Sequence, residues 1–117
     1  MKTLGRREHV EIRGVEGRKW IRFDAKLDTG ADRSRISAKD AAKLRLGPIE
    51  RVRKVRGERR VVVPATVQIA GRKIRVHFTV STRWPGLLIG VPTMKKRFRV
   101  DPSREYLSDP RKGVIRN

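Results

Sequence analysis

The stretch AKLDTGADRS, residues 25–34, sets an acid, Asp28, directly behind a run of alternating apolar residues. Thr29, Gly30, Ala31 and a second acid, Asp32, follow it. Upstream, RKWIRFDAKL (18–27) places Ile21, Phe23, Ala25 and Leu27 on one face and Arg22, Asp24 and Lys26 on the other. A period of two with a single apolar face predicts a half-buried strand. That strand delivers Asp28 to its end, where Gly30 permits a turn or a close backbone approach. Turn chemistry alone accounts for an Asp-Thr-Gly triplet at such a place. Whether Asp28 does more depends on what surrounds it.

Upstream of that strand, HVEIRG (9–14) predicts a short strand and VEG (15–17) its turn. SAKDAAKLRLGP (37–48) is the one convincing helix. Ser37 serves as N-cap, Asp40 stands in capping-box position, and Gly47-Pro48 is the stop. At about two turns it packs on a β structure and does not make a bundle. ERVRKVRGERRVVVP (50–64) predicts a hairpin turning near Gly57, with an almost wholly basic tip. Two strands follow, Ala65, Val67 and Ile69 on one face and then Ile74, Val76, Phe78 and Val80, around a turn at Ala70-Gly71-Arg72. RWPG (83–86) is a turn, and LLIG (87–90) is a short buried strand ended by Gly90. Thr93 caps one helical turn, and FRVDPSREYL (98–107) gives two short strands split at Asp101-Pro102. Without repeats or linkers, the pattern predicts one domain over residues 1–117. It is all-β with one or two short helices, closed and barrel-like.

Composition bounds the function. The chain has 117 residues, 37% of them hydrophobic, enough for a modest single core. No apolar run reaches the roughly 18 residues of a membrane span. The opening MKTLGRREHV lacks the apolar centre of a signal peptide, and there is no cysteine, so a cytoplasmic location is expected. Thirty-one Lys and Arg against twelve Asp and Glu give a formal charge of +19, a field that attracts phosphate backbones and acidic proteins. A non-catalytic basic β module binding nucleic acid or an acidic protein is therefore one reading, with clusters at Arg51–Arg60 and Lys95–Arg99. Against it, only 5% of residues are aromatic, and a charge run is more often a solvated face.

Metal and cofactor chemistry find little support. A catalytic zinc takes about three protein ligands, usually including histidines. The chain offers only His9 and His77, and His77 falls on the polar face of its strand. No Gly-rich phosphate loop is present, so neither metal nor cofactor is expected. Trp20 and Trp84 are read as barrel-end or dimer contacts.

The order of Asp-Thr-Gly-Ala-Asp, a flap-length hairpin and a hydrophobic-hydrophobic-Gly segment resembles a retropepsin-like aspartic protease. LDTGADRSRISAKD (27–40), VVVPATVQIAGRKIRVHFTV (61–80), LLIGVPTM (87–94) and FRVDPSREYL (98–107) carry the resemblance over most of the chain. Together they are most similar to the small prokaryotic retropepsin-like family labelled ATP-dependent zinc proteases, which share the Asp-Thr-Gly-Ala loop and a VDPSR-Y-L tail, here Val100 to Leu107. The resemblance implies an acid-protease barrel with one half-site per chain, and hence a homodimeric aspartic endopeptidase in which two Asp28 side chains meet at a two-fold axis. It implies that Thr29 bonds across that axis, Gly30 leaves room for substrate backbone, and Ala31 and Gly90 let the loops pack closely. It places Asp32 in a subsite, and Arg56, Gly57 and Glu58 near a flap tip over a bound peptide, an acidic one if the basic flap is matched by charge. Two departures stand out. Val91-Pro92 replaces a polar pair that usually follows LLIG, and Asp32 follows the viral rather than the prokaryotic pattern.

Overall fold

The computed structural model describes residues 1–15 and 17–108. Its elements run β1 (Lys2–Gly5), β2 (Arg7–Gly14), β3 (Ile21–Leu27), β4 (Ser34–Ser37), α1 (Ala38–Lys43), β5 (Arg51–Val55), β6 (Glu58–Ile69), β7 (Arg72–Ser81), β8 (Leu87–Ile89), α2 (Val91–Met94) and β9 (Phe98–Asp101). The alternation in 21–27 forms β3 as predicted. It lies antiparallel to β2 with Val10 opposite Phe23 and Ile12 opposite Ile21, and it buries Ala25 and Leu27.

Strand order is β2-β3-β8-β4-β7-β6-β5, and β2 pairs again with β6, where Ile12 lies opposite Val67. That second pairing closes six strands into a mixed barrel, as the sequence led us to expect. Its interior is filled by inward residues including Val10, Ile12, Ile36, Val67, Val76, Phe78 and Ile89. The fifth strand stays outside the ring. Among the described residues it pairs only with the first half of β6, from Arg51 opposite Val62 to Val55 opposite Glu58, and makes a hairpin that projects from the barrel. Its turn residues Arg56 and Gly57 have φ of 51° and 82°, and Ala70 and Gly71 in the β6–β7 turn have 51° and 80°. Two consecutive positive φ values make the mirror-image turn whose twist suits a two-residue hairpin.

Four local readings are corrected. The helix ends at Leu44, before Gly47-Pro48, because Arg45 adopts a left-handed φ of 52°. Only half of the capping box forms. The Asp40 amide donates to Ser37 Oγ at 3.1 Å, while the Ser37 amide is taken by Gly86 O at 3.1 Å. Thr93 caps nothing: Gly90 is the N-cap of α2, and Thr93 is buried inside that turn. The tail 98–107 contains one strand, not two. After β9 the chain turns on Asp101, whose Oδ1 accepts from the Ser103 amide at 3.0 Å and from its hydroxyl at 2.6 Å. Strands β1 and β4 carried too short a pattern to be read. The first pairs in parallel with β9, and the second inserts between β7 and β8.

A buried acid ties the tail back. Glu8 is 0% exposed. It accepts from the Gly5 amide at 2.7 Å, the Leu107 amide at 2.9 Å, and the Ser108 amide and hydroxyl at 3.1 and 2.6 Å. Four donors offset the desolvation of one carboxylate. The tail thereby lies along Arg6 and Arg7, with Arg6 N donating to Arg104 O and Tyr106 N to Arg7 O, both at 2.8 Å.

Candidate active site

Asp28 leaves β3 in a loop that the barrel holds from both sides. Its amide donates to Ile89 O at 3.0 Å, and the Leu27 amide before it donates to Arg6 O at 2.8 Å. The loop closes on itself: the Ala31 amide donates to Asp28 O at 3.2 Å, and the Gly30 amide to Asp28 Oδ1 at 2.9 Å. The turn chemistry that explains the triplet is therefore present, and it orients the carboxylate. Oδ2 takes no hydrogen bond from the described residues.

The second half of the constellation is LLIG. Strand β8 lies parallel to β3, with Leu27 opposite Ile89. It brings buried Gly90 against the Asp28 loop, where a Cβ would stand 2.6 Å from Arg33 O and 2.9 Å from Ala31 O. Only glycine fits that approach. The Gly90 amide donates to buried Ser34 Oγ at 3.0 Å, and Val91 N donates to Ala31 O at 2.8 Å. Backbone bonds and one serine thus support the loop where Val91-Pro92 removes a polar pair. Ser34 lay unnoticed in the sequence; its position in a DRSR run gave no signal.

A cleft of about 370 Å³ opens at this loop, beneath the β5–β6 hairpin. Its lining includes Asp28, Ala31 and Asp32 from the loop, Arg53, Val55 and Arg60 from the hairpin, and Lys26, Arg33 and Arg35 beside them. Five cations face two acids there. Arg53 bonds Thr79 Oγ1 at 3.1 Å, and its pKa is lowered by burial first and then by the neighbouring charge of Arg33. Arg53 lies directly opposite Arg60, and Lys54 directly opposite Arg59, pairings of like charge that cost stability in a bare hairpin.

The predicted residues are partly assembled. Asp28, Ala31 and Asp32 share the cleft, with Thr29 and Gly30 exposed on the loop and Gly90 buried behind it. The turn residues Arg56 and Glu58 line a neighbouring cavity of about 500 Å³ with Arg60, Arg83 and Trp84. Gly57 is exposed at the turn. Glu58 pairs with Arg83 and, at 3.6 Å, with Arg60. Arg53 and Arg60, rather than the tip, supply the hairpin's cations in the cleft. Strand alternation through 51–60 was the signal that could have found them. The residues present do not fit a metal centre: His9 stacks on Tyr106 at 4.4 Å, and exposed His77 faces Glu50 at 2.5 Å. Among the described residues no three His, Cys, Asp or Glu side chains gather, and no helix is long and apolar enough to cross a membrane.

A closed six-strand mixed barrel, an Asp-Thr-Gly loop at one strand end and a hairpin beside it define a retropepsin-like fold. A family model described as RimB-like, retropepsin-like aspartic endopeptidase RimB, matches residues 15–111, and the chain belongs to that family. No curated protein matches it. Among solved structures it resembles Lpg0085 from Legionella pneumophila, a protein of unknown function, with a TM-score of 0.63 and 15% identity over 92% of this chain and 98% of that one. It also resembles the EIAV protease in complex with the inhibitor HBY-793, with a TM-score of 0.55 and 22% identity over 74% of this chain and 81% of that one.

Proposed function

We propose that the chain is an aspartic endopeptidase that works as a homodimer, hydrolysing peptide bonds with water activated between two Asp28 carboxylates. The observation that carries this reading is the placement of Asp28 at the end of β3, clamped by its own turn and by Ile89 and opening into the cleft under the hairpin. One chain supplies one such loop, and acid-protease chemistry needs two carboxylates sharing a proton: one takes a proton from water and the other donates to the scissile carbonyl. A second copy related by two-fold symmetry supplies the partner. Thr29, exposed on the loop, faces that copy, and Gly30 and Ala31 keep the approach low. Gly90 backs the loop, and Asp32 borders a subsite. Arg56, Gly57 and Glu58 carry the flap tip over bound peptide.

The substrate class follows from charge. Arg53, Arg60, Arg33, Arg35 and Lys26 outnumber the acids in the cleft, so peptides with acidic side chains offset the like-charge pairing on the hairpin. The test is incubation with a peptide library. Cleavage blocked by a statine-type inhibitor and lost in Asp28→Asn supports the reading; cleavage that survives that substitution overturns it.

A further inference from the structure

Trp20 and Asp28 flank β3, one before its first residue and one after its last. An extended chain of that length separates them by roughly 26 Å. The surface around the tryptophan is thus distinct from the cleft, and none of its residues lines that cleft. Three barrel strands present a solvent face there in fixed register. Arg13 lies opposite Thr66 and Thr66 opposite Arg75; Glu11 lies opposite Gln68 and Gln68 opposite Lys73. Directly opposed residues share a face, so two rows run side by side across β2, β6 and β7. Lys73 and Arg75 are exposed, while Ile74 and Val76 between and beyond them point into the core.

The cations of this face are arranged rather than scattered. The Arg13 guanidinium lies 4.4 Å from the centroid of the Trp20 ring, and the Lys73 ammonium 5.9 Å from the same centroid. One aromatic ring thereby holds two like charges near each other, an arrangement that an arriving anion relieves. Arg13 Nε is buried and has no hydrogen-bond partner among the described residues. Among the described residues no carboxylate pairs with Arg13, Lys73 or Arg75. The one acid in the two rows, Glu11, lies opposite Arg22 of β3.

We infer that this face binds a single-stranded nucleic acid, with phosphates on Arg13, Lys73 and Arg75. Bases pack against the Arg13–Trp20 stack, and Thr66 and Gln68 bond sugar or base edges. The chemistry favours a nucleic acid over an acidic peptide. Guanidinium planes and indole rings are surfaces on which bases stack, and a peptide carboxylate has no such face to offer. A hydroxyl between two cations, Thr66 between Arg13 and Arg75, and an amide beside a third, Gln68 beside Lys73, suit sugars, phosphates and base edges. The net charge of +19 draws the strand to the barrel, and the two rows give it a place. The inference stands apart from the peptidase reading, since Asp28 takes no part in it.

The test is fluorescence anisotropy of a labelled oligouridine RNA from about 50 to 200 mM salt, on the full chain. Log affinity is expected to fall linearly with log salt. Each of Arg13→Gln, Lys73→Gln and Arg75→Gln is expected to shallow the slope by about 0.7, and Trp20→Leu to weaken binding about tenfold. In a Trp84→Phe background the remaining tryptophan, Trp20, excited selectively at its red edge, is quenched by RNA. Asp28→Asn binds like the parent chain. Should Arg13→Gln or Trp20→Leu fail to fold, the exposed pair Lys73→Gln/Arg75→Gln carries the test alone. An absence of binding at the lowest salt overturns the inference. So does an unchanged slope in the variants, and so does an acidic peptide of equal charge that binds the face as tightly as the RNA.

Discussion

The Gly90 amide donates to Ser34 Oγ at 3.0 Å, while the Gly90 Cα presses so close to Arg33 that a Cβ would stand 2.6 Å from its carbonyl oxygen. These two contacts lock the end of β8 behind the Asp28 loop. Gly90→Ala forces backbone against backbone and is expected to destabilise the fold by about 1–3 kcal/mol or more. Ser34→Ala leaves a buried amide without an acceptor and is expected to cost about 1–3 kcal/mol. Urea midpoints at constant slope check both.

Glu8 makes a second prediction. Its buried carboxylate takes donors from Gly5, Leu107 and Ser108. Glu8→Ala removes all of them and opens a void, so a loss of roughly 3 kcal/mol or more is expected. Faster amide exchange at Leu107 and Ser108 localises the effect to the tail. Unchanged protection there contradicts the clamp.

Much of this was legible in the sequence. The alternation of 21–27 announced β3, and the positions of Gly57 and Ala70-Gly71 announced two hairpins, because apolar period and turn residues are local signals. What stayed hidden was non-local. Strand β1 exists because β9 pairs with it, β4 because it fits between β7 and β8, and Ser34 matters because Gly90 arrives from 56 positions away. The Thr93 cap failed for a related reason. Gly90, which contacts the Asp28 loop, also starts the helical turn, and a polar side chain was not needed. The FRVDPSREYL tail was expected to give two strands split at Asp101-Pro102, and only the first, β9, forms. Glu8 and the Asp101 turn impose another path.

Tyr106 is the chain's single tyrosine, so tyrosinate absorbance reports it alone. Its hydroxyl donates to Asp24 Oδ2 at 2.8 Å, and that bond first, with burial second, raises its pKa above 10.0. A raised pKa in the folded state means that the contribution to stability is complete below the ordinary value and is lost as pH climbs through the folded one. The titration is therefore expected above the ordinary tyrosine range and to fall back towards it in Asp24→Asn. Identical titrations in both chains contradict the bond's role.

The hairpin cations give a specificity prediction. Arg53→Gln and Arg60→Gln are expected to raise KM severalfold for peptides with acidic residues while leaving neutral peptides nearly unchanged. An equal change for both peptide classes places the recognition elsewhere.

The central claim, two Asp28 carboxylates acting as one site, is tested most directly by mixing subunits. Wild-type chain and Asp28→Asn are combined at constant total concentration, allowed to exchange, and assayed on a peptide that the wild type cleaves. If each site needs Asp28 from both subunits, activity falls as the square of the wild-type fraction and reaches background in pure Asp28→Asn. A linear fall, or cleavage retained by Asp28→Asn alone, contradicts the account.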